Sequence, residues 1–304
     1  MLAEDRTGSW EFGGTWPFEP HFHGAEGDRL HYVDEGPRAG RPVVLLHGNP
    51  AWSYLYRRFL PALSDAGHRA IAVDLLGFGR SDKPADAAAY SVESHAARVA
   101  ALLDELDLRD ACLVVHDWGG PIGLGWAGEN PDRVSRLMIL NTFAPRLPGP
   151  MGRAFTLRVL RARGVGELIA TVRDGLTEDF LLRAGVRDRG AFDAHAKEAY
   201  RAPHPDRASR TGILAFPRQV PLSPDTAVAE LTRRTEGLLR LHFRDRGARI
   251  CWGMHDVLFR EPVLELWRDL LPQAGVVKLA EAGHFVQEDA PERVIAELLA
   301  LLGE

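Results

Sequence analysis

The chain has 304 residues, 45% of them hydrophobic and 26% charged, the proportions of an ordinary globular protein with one large α/β domain and an insertion, or two small domains. A formal net charge of −5 gives no reason to expect nucleic acid or an anionic membrane as a partner. No apolar run approaches the roughly 20 residues that cross a bilayer, and residues 1–6 carry acid where a secretory leader would be basic, so a cytoplasmic location is expected.

Residues 10–22 form an aromatic-rich segment that reads as a strap packed on a sheet. Residues 29–34 alternate in polarity, as a half-exposed strand does. Residues 43–46 and 70–73 are short apolar runs of the kind found in parallel strands buried on both faces. Gly77 and Gly79 lie in a loop that lacks the strand–GxGxxG–helix context of a dinucleotide site. Helical spacing over 92–106 puts Val92, Ala96, Val99, Leu102, Leu103 and Leu106 on one side. Strands are then predicted at 111–115, 134–140, 250–252 and 276–279, and Pro291 opens a last helix over 292–302. This alternation predicts a mostly parallel central sheet with helices on both faces. Between about 143 and 225 the strand signal stops. Helical patches occupy 153–163 and 167–182, and prolines punctuate the second half. That stretch is expected to be a helical cap inserted into a core made of 1–142 and 226–304, lining and closing a pocket. Its arginines are expected to form a solvated face. Cys112 and Cys251 fall in predicted buried strands and read as packed thiols, with no disulfide.

Residues 114–120, Val-Val-His-Asp-Trp-Gly-Gly, carry the chemistry. A buried strand runs into a sharp turn and a helix, the pattern of a nucleophile elbow, with Asp117 at the nucleophile position. A carboxylate is ionised at neutral pH and attacks carbon without a base to deprotonate it first. The plainer reading of Asp117 is a helix N-cap. Three other motifs end predicted strands at the same sheet edge. Leu46-His47-Gly48-Asn49-Pro50 could supply the backbone N–H of Asn49 to an oxyanion hole, with that of Trp118. Asp256, in Trp252-Gly253-Met254-His255-Asp256, is a candidate to orient a histidine, or else a loop cap. His284, in Ala282-Gly283-His284-Phe285, follows the last predicted strand. The order Asp117, Asp256, His284 is the nucleophile–acid–base order of α/β-hydrolases. Metal-ligand spacing is absent, so neither a metal nor an organic cofactor is expected.

The chain resembles the haloalkane dehalogenases of the α/β-hydrolase superfamily. The matching segments are HGNPAWSYLYR at 47–57, DLLGFGRSDKP at 74–84, HDWGGPIG at 116–123, WGMHDVLF at 252–259 and GHFVQEDAPERV at 283–294. The resemblance implies that Asp117 displaces halide and becomes an alkyl ester, and that His284 activates water to hydrolyse it. Trp118 would be the first halide donor through its indole N–H. The second donor in that family is a cap Trp or the Asn of HGNP. No Trp occurs between Phe143 and Arg240, which leaves the Asn49 side chain. One group of the family has its acid after the strand that follows the elbow helix, where this chain has Asn141, so Asp256 is the remaining candidate. This combination resembles the family's third subfamily. Val115 departs from the small residue of the strict elbow pattern, as dehalogenases commonly do. The implied substrate is a small neutral haloalkane, giving alcohol, halide and a proton.

The nearest alternative is an epoxide hydrolase, which uses the same Asp–His–Asp set but adds acidic tyrosines from the cap. Only Tyr200 lies in the predicted cap, where it reads as a packing or surface residue. A haloacetate dehalogenase would place Arg beside the nucleophile, where this elbow has Trp118 and Pro121. A cofactor-independent, luciferase-like oxygenase and a ligand-binding receptor are alternatives of a different class. The sequence is silent on oligomeric state.

Overall fold

The computed structural model describes residues 10–143, 161–188, 190, 192–221 and 225–303. The strands are β1 His21–His23, β2 Leu30–Glu35, β3 Pro42–Leu46, β4 Arg69–Val73, β5 Ala111–Asp117, β6 Val134–Thr142, β7 Gly247–Gly253 and β8 Gly275–Leu279. They form one sheet in the order β1-β2-β4-β3-β5-β6-β7-β8. β2 pairs antiparallel with both of its neighbours. Every pair from β4 through β8 is parallel, so the sheet is mostly parallel, as the apolar runs predict. Every residue of β5 is buried, at odd and even positions alike, which requires cover on both faces.

That cover comes from helices alternating with the strands: α1 Phe59–Asp65, α2 Val92–Glu105, α3 Gly119–Glu129, then Ala227–His242, Glu261–Leu270 and Pro291–Gly303. α2, α3 and Ala227–His242 pack as one group, and α1 packs with Pro291–Gly303 as another. α2 starts where the Ser91 hydroxyl accepts a hydrogen bond from the Ser94 N–H at 3.0 Å. It buries Val92, Val99, Leu102 and Leu103, the apolar side read from its spacing. Cys112 and Cys251 are free and buried, and burial pushes both thiols up to about 12.

The aromatic N-terminal segment does more than strap the sheet. Only its end joins the sheet, as β1. Trp10, Phe12 and Trp16 instead pack edge-to-face on Trp52, with ring centroids 5.6, 6.1 and 5.1 Å away. They buttress the loop that follows β3.

Between β6 and Ala227–His242 the described residues contain helices and no strand of the sheet. Two stretches, Leu168–Val172 and Leu176–Ala184, are π-helical where the sequence predicts an ordinary helix. Ala194–Arg201 and Thr211–Gln219 follow as α-helices. The helix predicted over 153–163 lies mostly outside the described residues. The arginines of this insertion are not simply solvated. Arg210 donates to the carbonyls of His204 and Thr171, Arg201 pairs with Glu178, and Arg218 pairs with Glu167. Besides its buried apolar residues, among them Leu181, Phe192, Ile213 and Phe216, the insertion ties its helices together by charge and backbone capture.

Candidate active site

Asp117 closes β5 with φ of 49°, a left-handed conformation that non-glycine residues rarely adopt. The sharp turn lifts its carboxylate off the strand, and α3 begins two residues later. Gly48 gives it room: a Cβ there would lie 2.1 Å from Asp117 Oδ1. The backbone N–H of Asn49 donates to Oδ1 at 2.8 Å, and the Trp118 N–H also donates to this carboxylate. These are the two amides that sequence reasoning assigns to the oxyanion hole. They grip the oxygen that would carry charge when an ester at Asp117 is attacked. The loop holding Asn49 is itself fixed by His47, whose Nε2 accepts from the Leu75 N–H at 2.9 Å while Nδ1 donates to the Gly48 carbonyl at 2.8 Å.

The structure brings Asp117, Asp256 and His284 together. His284 Nδ1 donates to Asp256 Oδ2 at 2.9 Å, and His284 Nε2 lies 3.8 Å from Asp117 Oδ2. Nε2 is buried and has no hydrogen-bond partner among the described residues, so its lone pair is free to take a proton. Asp256 Oδ1 accepts from the Leu258 N–H at 2.6 Å, which also makes it the loop cap that the plainer reading supposed.

The charges are set by burial and by these contacts. Burial pushes the Asp117 carboxyl up to about 6, against the His284 charge and the Trp118 and Asn49 amides. Burial acts the same way on Asp256, but the His284 charge and hydrogen bond, with the Leu258 and Asn141 donors, hold it below the usual carboxylate range. Burial disfavours a charged His284, yet the charge and hydrogen bond of Asp256 and the charge of Asp117 raise it above the ordinary imidazole value.

Two residues emerge that sequence reasoning passed over. Asn141 stands at the alternative acid position and was set aside because it is no carboxylate. Its amide donates to Asp256 Oδ2 at 2.8 Å and accepts from the Gly253 N–H at 2.7 Å, fixing the acid that replaces it. A polar residue at the end of a buried strand was the available signal. His116 donates from Nε2 to the His284 carbonyl at 2.9 Å, and its ring lies 4.6 Å from the His284 ring. Burial holds it far below the ordinary imidazole value, so it is neutral and Nε2 carries its one proton. Only its place beside Asp117 could have pointed to it.

Around this polar centre the walls are aromatic. Trp118 lies between Phe143 and Phe216, with ring centroids at 4.5 and 4.9 Å. Phe259 and Phe180 flank His284 at 5.6 and 5.4 Å. Phe180 and Phe216 come from the insertion, which therefore lines the site. The side-chain oxygen of Asn49, Oδ1, is buried with no hydrogen-bond partner among the described residues. The site is enclosed, with Asp117 and Trp118 each only 3% exposed. Two open clefts, of about 460 and 920 Å³, lie elsewhere, against Ser91 and Arg218 in one case and Asp269 and Lys278 in the other. Tyr200 is fully buried, and its hydroxyl donates to Glu288. Among the described residues no group of three or more His, Cys, Asp or Glu could hold a metal, and no helix is long and apolar enough to cross a membrane.

Comparison with known proteins gives the family and the fold. Residues 41–291 match a family described as alpha/beta hydrolase fold. The chain is 37% identical over 290 residues to a cis-3-alkyl-4-alkyloxetan-2-one decarboxylase of Shewanella oneidensis, covering 95% of this chain and 89% of that protein. It is 36% identical to a haloalkane dehalogenase of Psychrobacter cryohalolentis, covering 93% and 91%. Among solved structures it resembles the haloalkane dehalogenase DatA from Agrobacterium tumefaciens C58, with a TM-score of 0.82, 28% identity, and 94% and 96% of the two chains covered.

Proposed function

The chain belongs to the alpha/beta hydrolase family, and on that premise we propose that it is a haloalkane dehalogenase acting on small neutral haloalkanes. The observation that carries the reading is a carboxylate at the elbow, backed by two N–H donors and faced by a His–Asp pair. Asp117 attacks the carbon that bears the halogen, the carbon–halogen bond breaks, and the halide leaves with the electron pair. The product is an ester of Asp117. The indole N–H of Trp118 and the side-chain amide of Asn49 receive the halide, and the aromatic walls exclude water that would otherwise solvate the nucleophile. Ester formation removes the Asp117 charge, one of the influences that raise His284. The imidazole therefore loses its proton more readily in the ester than in the free protein. That suits a general base. Water attacks the ester carbonyl, His284 Nε2 takes its proton, and the oxyanion forms against the Asn49 and Trp118 amides. Collapse breaks the bond from the carbonyl carbon to the alkoxy oxygen, which takes the proton of the new hydroxyl and leaves as alcohol; Asp117 returns as a carboxylate, and Asp256 stabilises the imidazolium until its proton reaches solvent. No metal or organic cofactor enters either step. Residues 143–225 act as the cap that closes over residues 1–142 and 226–304.

An epoxide hydrolase would need a free phenol to protonate the leaving oxygen. The hydroxyl of Tyr200, the one tyrosine between residues 143 and 225, is committed to Glu288.

A second reading has its own support. The relatives named as oxetanone decarboxylases are as similar to this chain as those named as dehalogenases, at 37% against 35 to 38% identity. In a cis-3,4-dialkyloxetan-2-one, loss of CO2 breaks the C2–C3 and C4–O bonds and leaves an alkene, with no oxidant required. A buried carboxylate with an apolar surround could act on that ring as well.

One experiment separates the readings. Bromoalkanes of two to six carbons and a cis-3,4-dialkyloxetan-2-one are offered in parallel, with Asp117→Ala as control. Halide release that disappears in the variant is expected. Alkene and CO2 without halide would favour the decarboxylase instead.

A further inference from the structure

The loop that carries His284 is tied directly to the helical insertion. The Gly185 carbonyl, at the end of the π-helical stretch Leu176–Ala184, accepts from the backbone N–H of His284 at 2.7 Å and from that of Phe285 at 3.2 Å. Asp289 closes a second tie. Its Oδ2 accepts from the Gly283 N–H at 2.7 Å, and its Oδ1 accepts from the Arg187 and Asp188 N–H groups, both at 2.9 Å. One carboxylate thus spans the residue before the base and the turn that follows Gly185. The crossing is built for close approach. A Cβ at Gly283 would lie 2.6 Å from the Gly185 oxygen, and one at Gly185 would lie 2.5 Å from the Phe285 ring.

No contact with Asp117 is part of this arrangement. The nucleophile is held from the other side, by Asn49, Trp118 and the Thr142 hydroxyl on its own carbonyl. Apart from the His116 donation to the His284 carbonyl, the two halves of the site have different supports. The nucleophile rests on the β3 and β6 ends, while the backbone of the base loop is fastened to the insertion and its imidazole to Asp256.

We propose that Asp289 is a positioning residue for His284, fastening the base loop to the insertion, so that its loss slows the water-attack step while leaving attack by Asp117 nearly unchanged. The selectivity follows from chemistry. The first step needs no base, and the second needs Nε2 placed to within a fraction of an ångström of the attacking water. A carboxylate accepting three backbone N–H groups suits the role, because each N–H would otherwise be poorly satisfied.

The proposal rests on the two-step hydrolytic reading, and its test keeps the two apart. In Asp289→Ala and Asp289→Asn, rapid-quench kinetics with a bromoalkane resolve ester formation from ester hydrolysis, and hydrogen exchange reports the amides of residues 187–188 and 283–285. Hydrolysis is expected to slow by about 10- to 100-fold in the alanine variant, with ester formation within about twofold of wild type. Asparagine, which keeps one acceptor oxygen, is expected to fall between, and it carries the test alone if the alanine variant does not fold. The same amides should exchange faster in both variants. Equal slowing of the two steps, or unchanged exchange at 283–285, would overturn the proposal. If the wild type releases no halide, the dehalogenase reading fails, and the exchange result alone decides whether Asp289 fastens the loop.

Discussion

Asp117 shows how much one side chain's surroundings decide. Burial pushes its carboxyl up to about 6, where an exposed aspartate lies at about 3.9. It must be ionised to attack. The rate of ester formation should therefore fall as pH drops through about 6, while a nucleophile of ordinary acidity would hold its rate to about pH 4. Single-turnover ester formation between pH 4.5 and 8 checks this, and a flat profile to pH 4.5 would contradict it. His284 must likewise be deprotonated to act. Hydrolysis needs it neutral, so that step should fall as pH drops through the value His284 has in the ester, which lies below its value in the free protein. Asp256→Asn removes the contacts that hold His284 in its Nδ1–H tautomer. Hydrolysis should fall by about 10³- to 10⁴-fold, with ester formation much less affected, as burst kinetics would show. At this scale the sequence was informative. Asp117, His284, Asp256, Asn49 and Trp118 could all be named as candidates from the sequence, because each stands beside the end of a recognisable strand, and the structure places them together. Asn141 and His116 could not, since each acts through a partner more than 100 positions away.

Among the elements, the parallel strands declared themselves through short apolar runs, and α2 through its spacing. β1 did not: three residues with polar ends carry no periodic signal, and pairing with β2 alone makes it a strand. The π-helical stretches were equally hidden, because an extra residue per turn is a tertiary accommodation that spacing over a few residues cannot reveal. Nor could the sequence disclose the buried cluster joining insertion to core. Arg57 pairs with both oxygens of Glu288, Tyr200 donates to the same carboxylate, and the Arg57 guanidinium sits 4.5 Å over the Tyr54 ring. Glu288→Ala would leave a buried guanidinium uncompensated and should destabilise the protein by about 3–5 kcal/mol in chemical denaturation. Tyr200→Phe removes only one donor, costing about 1–2 kcal/mol. Its dehalogenase turnover should stay within a few-fold of wild type. A collapse of turnover in folded Tyr200→Phe would restore the phenol to a chemical role and revive the epoxide reading.

Seen as a whole, the molecule gathers Asp117 from β5, Asp256 from the loop after β7 and His284 from the loop after β8 at one sheet edge, and the insertion lines the site around them. Topology makes that convergence possible: β5, β6, β7 and β8 are parallel neighbours, so their C-terminal ends lie side by side. In the proposed mechanism, enclosure lets neutral N–H donors suffice for a halide, and the aromatic walls suit a neutral, apolar substrate better than an acid. The covalent ester proposed at Asp117 joins these features, and its trapping tests them. His284→Phe, incubated with a bromoalkane that the wild type turns over, should accumulate protein heavier by one alkyl group, and peptide mass spectrometry should locate that group on Asp117. A wild type that releases halide alongside a His284→Phe protein with unmodified Asp117 would contradict the covalent route.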